Sequence, residues 1–167
     1  MRTTRKNIVT AAAVTGAALI GTTVGTAPSA EATPHAVAAR PITVYQFPSI
    51  GVQWSGLVVP GPLAQGVHAR NGAKPGDVIL SAPGTAYTCS SSAAGALLDI
   101  HLANLSDGKS GDVRIRLCKN FRSPVPASRE IHTGPGRIAV TVRLAGSAVY
   151  PNAGQPSLPG FGVFTVR

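Results

Sequence analysis

Residues 97–119 read LLDIHLANLSDGKSGDVRIRLCK, and this stretch decides the fold. In its first arm Leu98, Ile100 and Leu102 fall on one face of an extended chain, with Asp99 and His101 on the other. In the second arm Val113, Ile115 and Leu117 alternate with Arg114 and Arg116. A period of two with one apolar and one polar face marks a half-buried strand. Between the arms, Asp107, Gly108, Lys109 and Ser110 are turn residues, and a turn there pairs Ser106 with Gly111. Ile100 then faces Leu117, Leu102 faces Ile115, His101 faces Arg116 and Asp99 faces Cys118. The apolar faces coincide only in this register or in one shifted by two residues, because a one-residue slip turns every side chain over.

The same grammar extends to both sides of the hairpin. Residues 137–144 alternate Ile138, Val140, Val142 and Leu144 inward with Arg137, Thr141 and Arg143 outward. Residues 42–47, stopped by Pro48, and 52–59, stopped by Pro60, Gly61 and Pro62, read as strands. So do 78–81, 85–90 and 161–166, with a short edge strand at 66–70 and an uncertain one at 129–133. Asn71-Gly72, Pro75-Gly76 and Pro83-Gly84 are turn pairs between them. No long run keeps a helical period. The prediction is an all-β, antiparallel sandwich of about eight strands with Greek-key or jelly-roll-like connections.

The amino terminus belongs to another class of signal. Arg2, Arg5 and Lys6 precede an uncharged run rich in Ala, Val, Gly and Thr, and small residues follow up to Thr33. Positive, then apolar, then small is the order of a secretory signal peptide. Ala30-Glu31-Ala32 fits the processing pattern, so residues 1–32 are read as the signal, with cuts after Ala30, Ala36 or Ala38 as alternatives. A retained anchor is the rival, but the run of about 18 residues is short for a span and diluted by Thr and Gly. Residues 33–41 read as a flexible leader and 42–167 as a single domain. Export places Cys89 and Cys118, the two cysteines of the chain, in an oxidising compartment and implies that they form one disulfide. The expected localisation is extracellular, with no stable membrane insertion after cleavage. Ala, Gly, Pro and Arg richness fits a bacterium of high GC content.

Beyond residue 32 there are twelve Lys and Arg against five Asp and Glu, a net charge of +7. Such a charge keeps a small domain soluble and also suits anionic partners. Arg114, Arg116, Arg137 and Arg143 take outward positions, so strands sharing a sheet would give them a common anion-binding face, for instance toward a cell-envelope polymer. Nucleic acid is not an expected partner outside the cell, and no aromatic residues interleave with the charges.

Enzymatic chemistry finds little support. Gly108-Lys109-Ser110 imitates the end of a phosphate loop, but position 103 is Ala and a strand follows. Asp99 and His101, two apart on one strand face, make poor triad geometry. His35, His68, His101 and His132 have no metal-ligand spacing. No catalytic residue, cofactor or metal is therefore expected.

Two binding readings remain beside the envelope one. Residues 119–128 begin next to a cysteine and contain Pro124 and Pro126. A stiff loop offering Arg122-Ser123 has the form of a serine protease inhibitor's bait, the partner then being an extracellular protein. A carbohydrate-binding module is the other, through Tyr150, Asn152 and Gln155, with Trp54 as a stacking platform if it is exposed; a core position is the commoner fate of a Trp.

Overall fold

A computed structural model describes residues 41–55 and 59–167. The expected signal peptide, its cleavage site and nearly all of the leader lie outside the described residues. Ten strands and one helical turn follow in order: β1 (Tyr45–Phe47), β2 (Ser49–Ser55), β3 (Val59–Gln65), β4 (His68–Asn71), β5 (Asp77–Ser81), α1 (Ala86–Cys89), β6 (Leu97–Asn104), β7 (Ser110–Arg116), β8 (Ser128–His132), β9 (Gly136–Ala145) and β10 (Gly160–Val166). They form antiparallel sheets ordered β1-β10-β9-β6-β7, β4-β5-β8 and β2-β3, a sandwich as the alternation predicts.

The β6–β7 hairpin is present, but its turn sits two residues earlier than the turn residues suggest. Ile100 opposes Val113, Asp99 opposes Arg114, His101 opposes Asp112 and Leu97 opposes Arg116. Each partner is displaced by four residues, which is neither of the two registers expected, and the apolar faces still coincide because any even shift keeps parity. Asn104 stands where β6 ends, still paired with Ile138 of β9. Its buried side chain donates to Thr133 O and Pro135 O and accepts from Ser106 N, which holds the strand end in place and starts the turn there. Bonds from Asn104 N to Lys109 O and from Gly108 N to Asn104 O, both 2.8 Å, then close the loop at 105–108. Gly108 takes the left-handed position there, with φ of 75°.

Strand β9 lies between β6 and β10, and Ile138, Val140, Val142 and Leu144 point inward as the pattern requires. They meet Leu98, Ile100, Leu102, Val113 and Ile115 of the hairpin, Phe164 and Val166 of β10, and Val78 and Leu80 of β5 in one core. Burying each large aliphatic side chain here contributes about 1.5–3 kcal/mol. The β7-to-β9 connection leaves the five-stranded sheet, adds β8 to the opposite sheet beside β5, and returns.

Two local readings need correction. Residues 52–59 are not one strand stopped at Pro60: β2 ends at Ser55, and β3 begins opposite it at Val59 and runs through Pro60 and Pro62, which sit opposite Trp54 and Val52. A strand tolerates proline where no ladder bond is asked of its N–H, and β3 has β2 as its one strand partner. Residues 85–90 are not extended. The Thr85 hydroxyl caps the turn α1 by accepting from Thr88 N at 3.1 Å, which carries Cys89 toward the carboxyl end of β7.

Side chains and single bonds close the seams between the large sheets. The Gln46 amide donates to Val67 O at 2.9 Å and accepts from Val67 N at 3.0 Å, acting as an extra peptide group between β1 and the approach to β4. On the other side Arg116 N donates to Pro126 O at 2.9 Å. Among the described residues no helix is long and apolar enough to cross a membrane.

Candidate functional site

The expected disulfide is formed: Cys89 and Cys118 are bonded with their Cα atoms 5.4 Å apart. It joins α1 to the end of β7 and packs against Gly84, where a Cβ would meet both sulfurs at 3.1 and 3.2 Å. Immediately beyond it the chain leaves the sheet and runs through residues 119–127 to β8. Asn120 Nδ2 donates to Cys89 O at 3.4 Å and Phe121 N to Cys118 O at 3.3 Å, so the first limb of the loop is tied to both halves of the disulfide. The Phe121 ring meets Tyr150 edge-on, with centroids 5.4 Å apart.

The central part of the loop is held by Arg116. Its Nη1 donates to Phe121 O and to Ser123 O, each at 3.2 Å. One guanidinium nitrogen thus grips the carbonyls on either side of residue 122. Ser123 Oγ accepts from Val125 N at 3.1 Å, and Pro124 and Pro126 fix two further φ angles. The Arg122 side chain is exposed, and among the described residues nothing donates to its own carbonyl oxygen. Arg116 Nε is buried with no partner among the described residues, so the guanidinium holds this position at a cost in polar burial.

No family model, curated protein or solved structure matches this chain.

All four arginines of the expected basic face do lie on the five-stranded sheet, but the sheet employs them differently. Arg116 is half-buried and serves the loop. Arg114 makes a two-pronged pair with Asp99, through Nε to Oδ1 and through Nη2 to Oδ2 at 2.7 Å. That bond and the carboxylate's charge raise the Arg114 guanidinium further above its ordinary range. Asp99 also stands opposite Arg143 on β9, so one carboxylate lies between two arginines. Arg143 and Arg137 remain exposed. The register shift explains the difference, because in the expected register Asp99 faces a cysteine and no carboxylate stands opposite Arg114.

The other singled-out residues separate into structural roles and one cluster. His101 Nδ1 meets Asp112 at 2.8 Å and His132 Nδ1 meets Asp77 at 2.7 Å, two exposed pairs on different sheets. Gln155 turns inward and donates to Leu144 O at 2.8 Å, so it is not a ligand contact. Asn152 is exposed at the tip of its loop. Trp54, for which a core position is the ordinary expectation, is 41% exposed, because β2 belongs to a two-stranded sheet and turns that ring outward. It lines one cleft together with Tyr150 and Phe121. Sequence reasoning placed Arg116 among outward groups and missed its role as a brace. Its position at the strand end, two residues before a disulfide cysteine, does not by itself separate a brace from a solvent-facing group.

Proposed function

We infer that the chain is an exported, non-enzymatic domain that inhibits a trypsin-like serine protease by offering Arg122–Ser123 as a substrate it does not let go. The observation that carries the reading is the double grip of Arg116 on Phe121 O and Ser123 O, around an exposed Arg122 whose carbonyl receives no donor among the described residues. A trypsin-like enzyme selects a cationic side chain with a carboxylate in its specificity pocket and stabilises the attacked carbonyl oxygen with backbone N–H groups. Arg122 supplies that cation, and its free carbonyl is the atom such donors need.

The same brace accounts for inhibition in place of digestion. Attack by the protease serine on the Arg122 carbonyl breaks the C–N bond and passes a proton to the Ser123 nitrogen. Ordinarily the new amine diffuses away. Here Ser123 O stays on Arg116, and Pro126 O stays on Arg116 N, so the amine is held beside the acyl group. Religation is then an intramolecular reaction of high effective concentration. Preorganisation by the disulfide, the prolines and the guanidinium also reduces the ordering cost of binding. Export supports the reading from the sequence side: the amino-terminal charge order is that of a signal peptide, and the cysteines are paired.

The test is titration of trypsin with the purified mature chain. Stoichiometric loss of activity is expected, and it should disappear with Arg122→Ala in a protein of unchanged melting temperature. Full trypsin activity at an excess of the parent protein would remove the proposal.

A further inference from the structure

Next to the loop lies a cleft of about 370 Å³ that protease binding does not require. Trp54 of β2, Phe121 and Tyr150 line it, and the serines 90–92 with Ala94 and Gly95 complete the lining. Trp54 is 41% exposed and Tyr150 52% exposed.

The aromatic rings are placed by specific bonds. Trp54 N donates to Ser92 Oγ at 2.9 Å, and Ser92 N donates to Trp54 O at 3.0 Å, which fixes the indole's backbone against the serine segment. Tyr150 N donates to Ser147 Oγ at 3.2 Å. At Gly95 a Cβ would meet the Tyr150 ring at 2.9 Å and Phe121 Cζ at 3.1 Å, so the absence of a side chain there lets both rings settle. The result is an aromatic-lined site built from four separate parts of the chain.

The lining identifies the ligand class. The domain carries excess positive charge, yet the described residues around this cleft include no Lys, Arg, Asp or Glu. An anion or a peptide terminus would find no partner there. What the cleft offers is aromatic faces together with hydroxyls. The Ser92 hydroxyl accepts from Trp54 N and keeps its proton to donate, and the Trp54 indole N–H and Tyr150 hydroxyl are further donors on exposed rings. A ligand with an apolar C–H face and a rim of neutral hydroxyls fits both features. The volume lies within the ~300–1,000 Å³ usual for small-ligand sites. We propose that this cleft binds a neutral saccharide, with a pyranose ring stacked on Trp54 and its hydroxyls bonded to Ser92 and Tyr150.

Trp54 is the one tryptophan of the chain, so its fluorescence reports the site directly. The probes are neutral oligosaccharides of β-glucan, α-glucan, mannan and chitin type. They are titrated into the mature protein, with the corresponding soluble polysaccharides set in native gels. A saturable change in emission with one of them is expected, with retarded migration in the matching gel that persists at 0.5 M salt. Tyr150→Ala should weaken binding at least tenfold, and Trp54→Ala should abolish the retardation. Arg122→Ala should leave binding unchanged, and Trp54→Ala should leave trypsin inhibition unchanged, which keeps the two sites separable. Unaltered emission and mobility with every probe, or retardation that survives both aromatic substitutions or vanishes in salt, would overturn the assignment.

Discussion

Replacing Arg116 by alanine removes the brace and leaves the bait intact. Two hydrogen bonds are lost, from one charged nitrogen to Phe121 O and Ser123 O at 3.2 Å each. Bonds from charged donors contribute about 1.5–3 kcal/mol, and at this length the lower figure applies to each, giving about 3 kcal/mol in all. Most of that falls on the bound state, because in the free protein the two loop carbonyls can turn to water. With about 1 kcal/mol of it borne by the free fold, the remaining ~2 kcal/mol, at about 1.4 kcal/mol per decade, should raise the inhibition constant for trypsin about 30-fold. The fold should lose much less, about 1 kcal/mol, because Arg116 N and its bond to Pro126 O survive the substitution. That corresponds to a melting shift of about 3–6 °C. The assay is steady-state inhibition with a small fluorogenic substrate, paired with calorimetry on the same preparations. The variant should also be cut by trypsin much faster than the parent, since the released Ser123 amine is no longer retained. Inhibition equal to that of the parent, in a variant that melts within those few degrees, would show that the guanidinium does nothing for the loop.

Other perturbations probe the frame. Removing the disulfide with Cys89→Ala and Cys118→Ala together opens a loop of 29 residues and should cost about 3–4 kcal/mol, read as a lower urea midpoint, with trypsin inhibition weakened beyond what stability explains. Gln46→Ala deletes the two bonds that bridge β1 to Val67 and should cost about 1–2 kcal/mol by the same measurement, with inhibition unchanged because neither bond touches Arg116 or the carbonyls it holds. Asp107 has its carboxyl pKa lowered, chiefly by the Lys109 N–H donated to it. A carboxylate whose folded pKa is depressed stabilises the fold above its unfolded value and loses that contribution as pH falls through the folded one. Asp107→Asn should therefore flatten the acid limb of melting temperature against pH by a small amount, because solvent screens a carboxylate at a surface turn, and leave neutral stability almost unchanged.

Alternation made the central sheet legible. Every inward residue of the hairpin and of β9 faces the core where the period of two puts it, since one buried face constrains parity strongly. Parity does not set the absolute register. That was decided by Asn104, whose partners Thr133 and Pro135 come from a distant segment and leave no local signal. The prolines of β3 misled for a related reason: whether a proline ends a strand depends on whether a neighbouring strand needs its N–H, which is a tertiary fact. At the site, the loop, its cysteine anchor and Arg122 could all be read from composition and spacing. The brace could not, because an arginine at a strand end is equally suited to solvent, and its choice depends on where the loop returns. The aromatic cleft was half legible. Trp54 and Tyr150 were visible as candidates, whereas Ser92 and Gly95 join them only through folding, and Gln155 leaves them to cap the Leu144 carbonyl.

The most direct test is mass spectrometry of the mature protein incubated with a trace of trypsin. Beyond residue 40 the chain offers many Lys and Arg residues to the enzyme, among them Arg70, Lys119 and Arg129. The predicted result is a single slow cut at Arg122–Ser123 that stops at a stable mixture of cleaved and intact chains, the pieces staying together in the fold. First cleavage at any other residue, or rapid hydrolysis at Arg122 that runs to completion, would contradict an inhibitory loop.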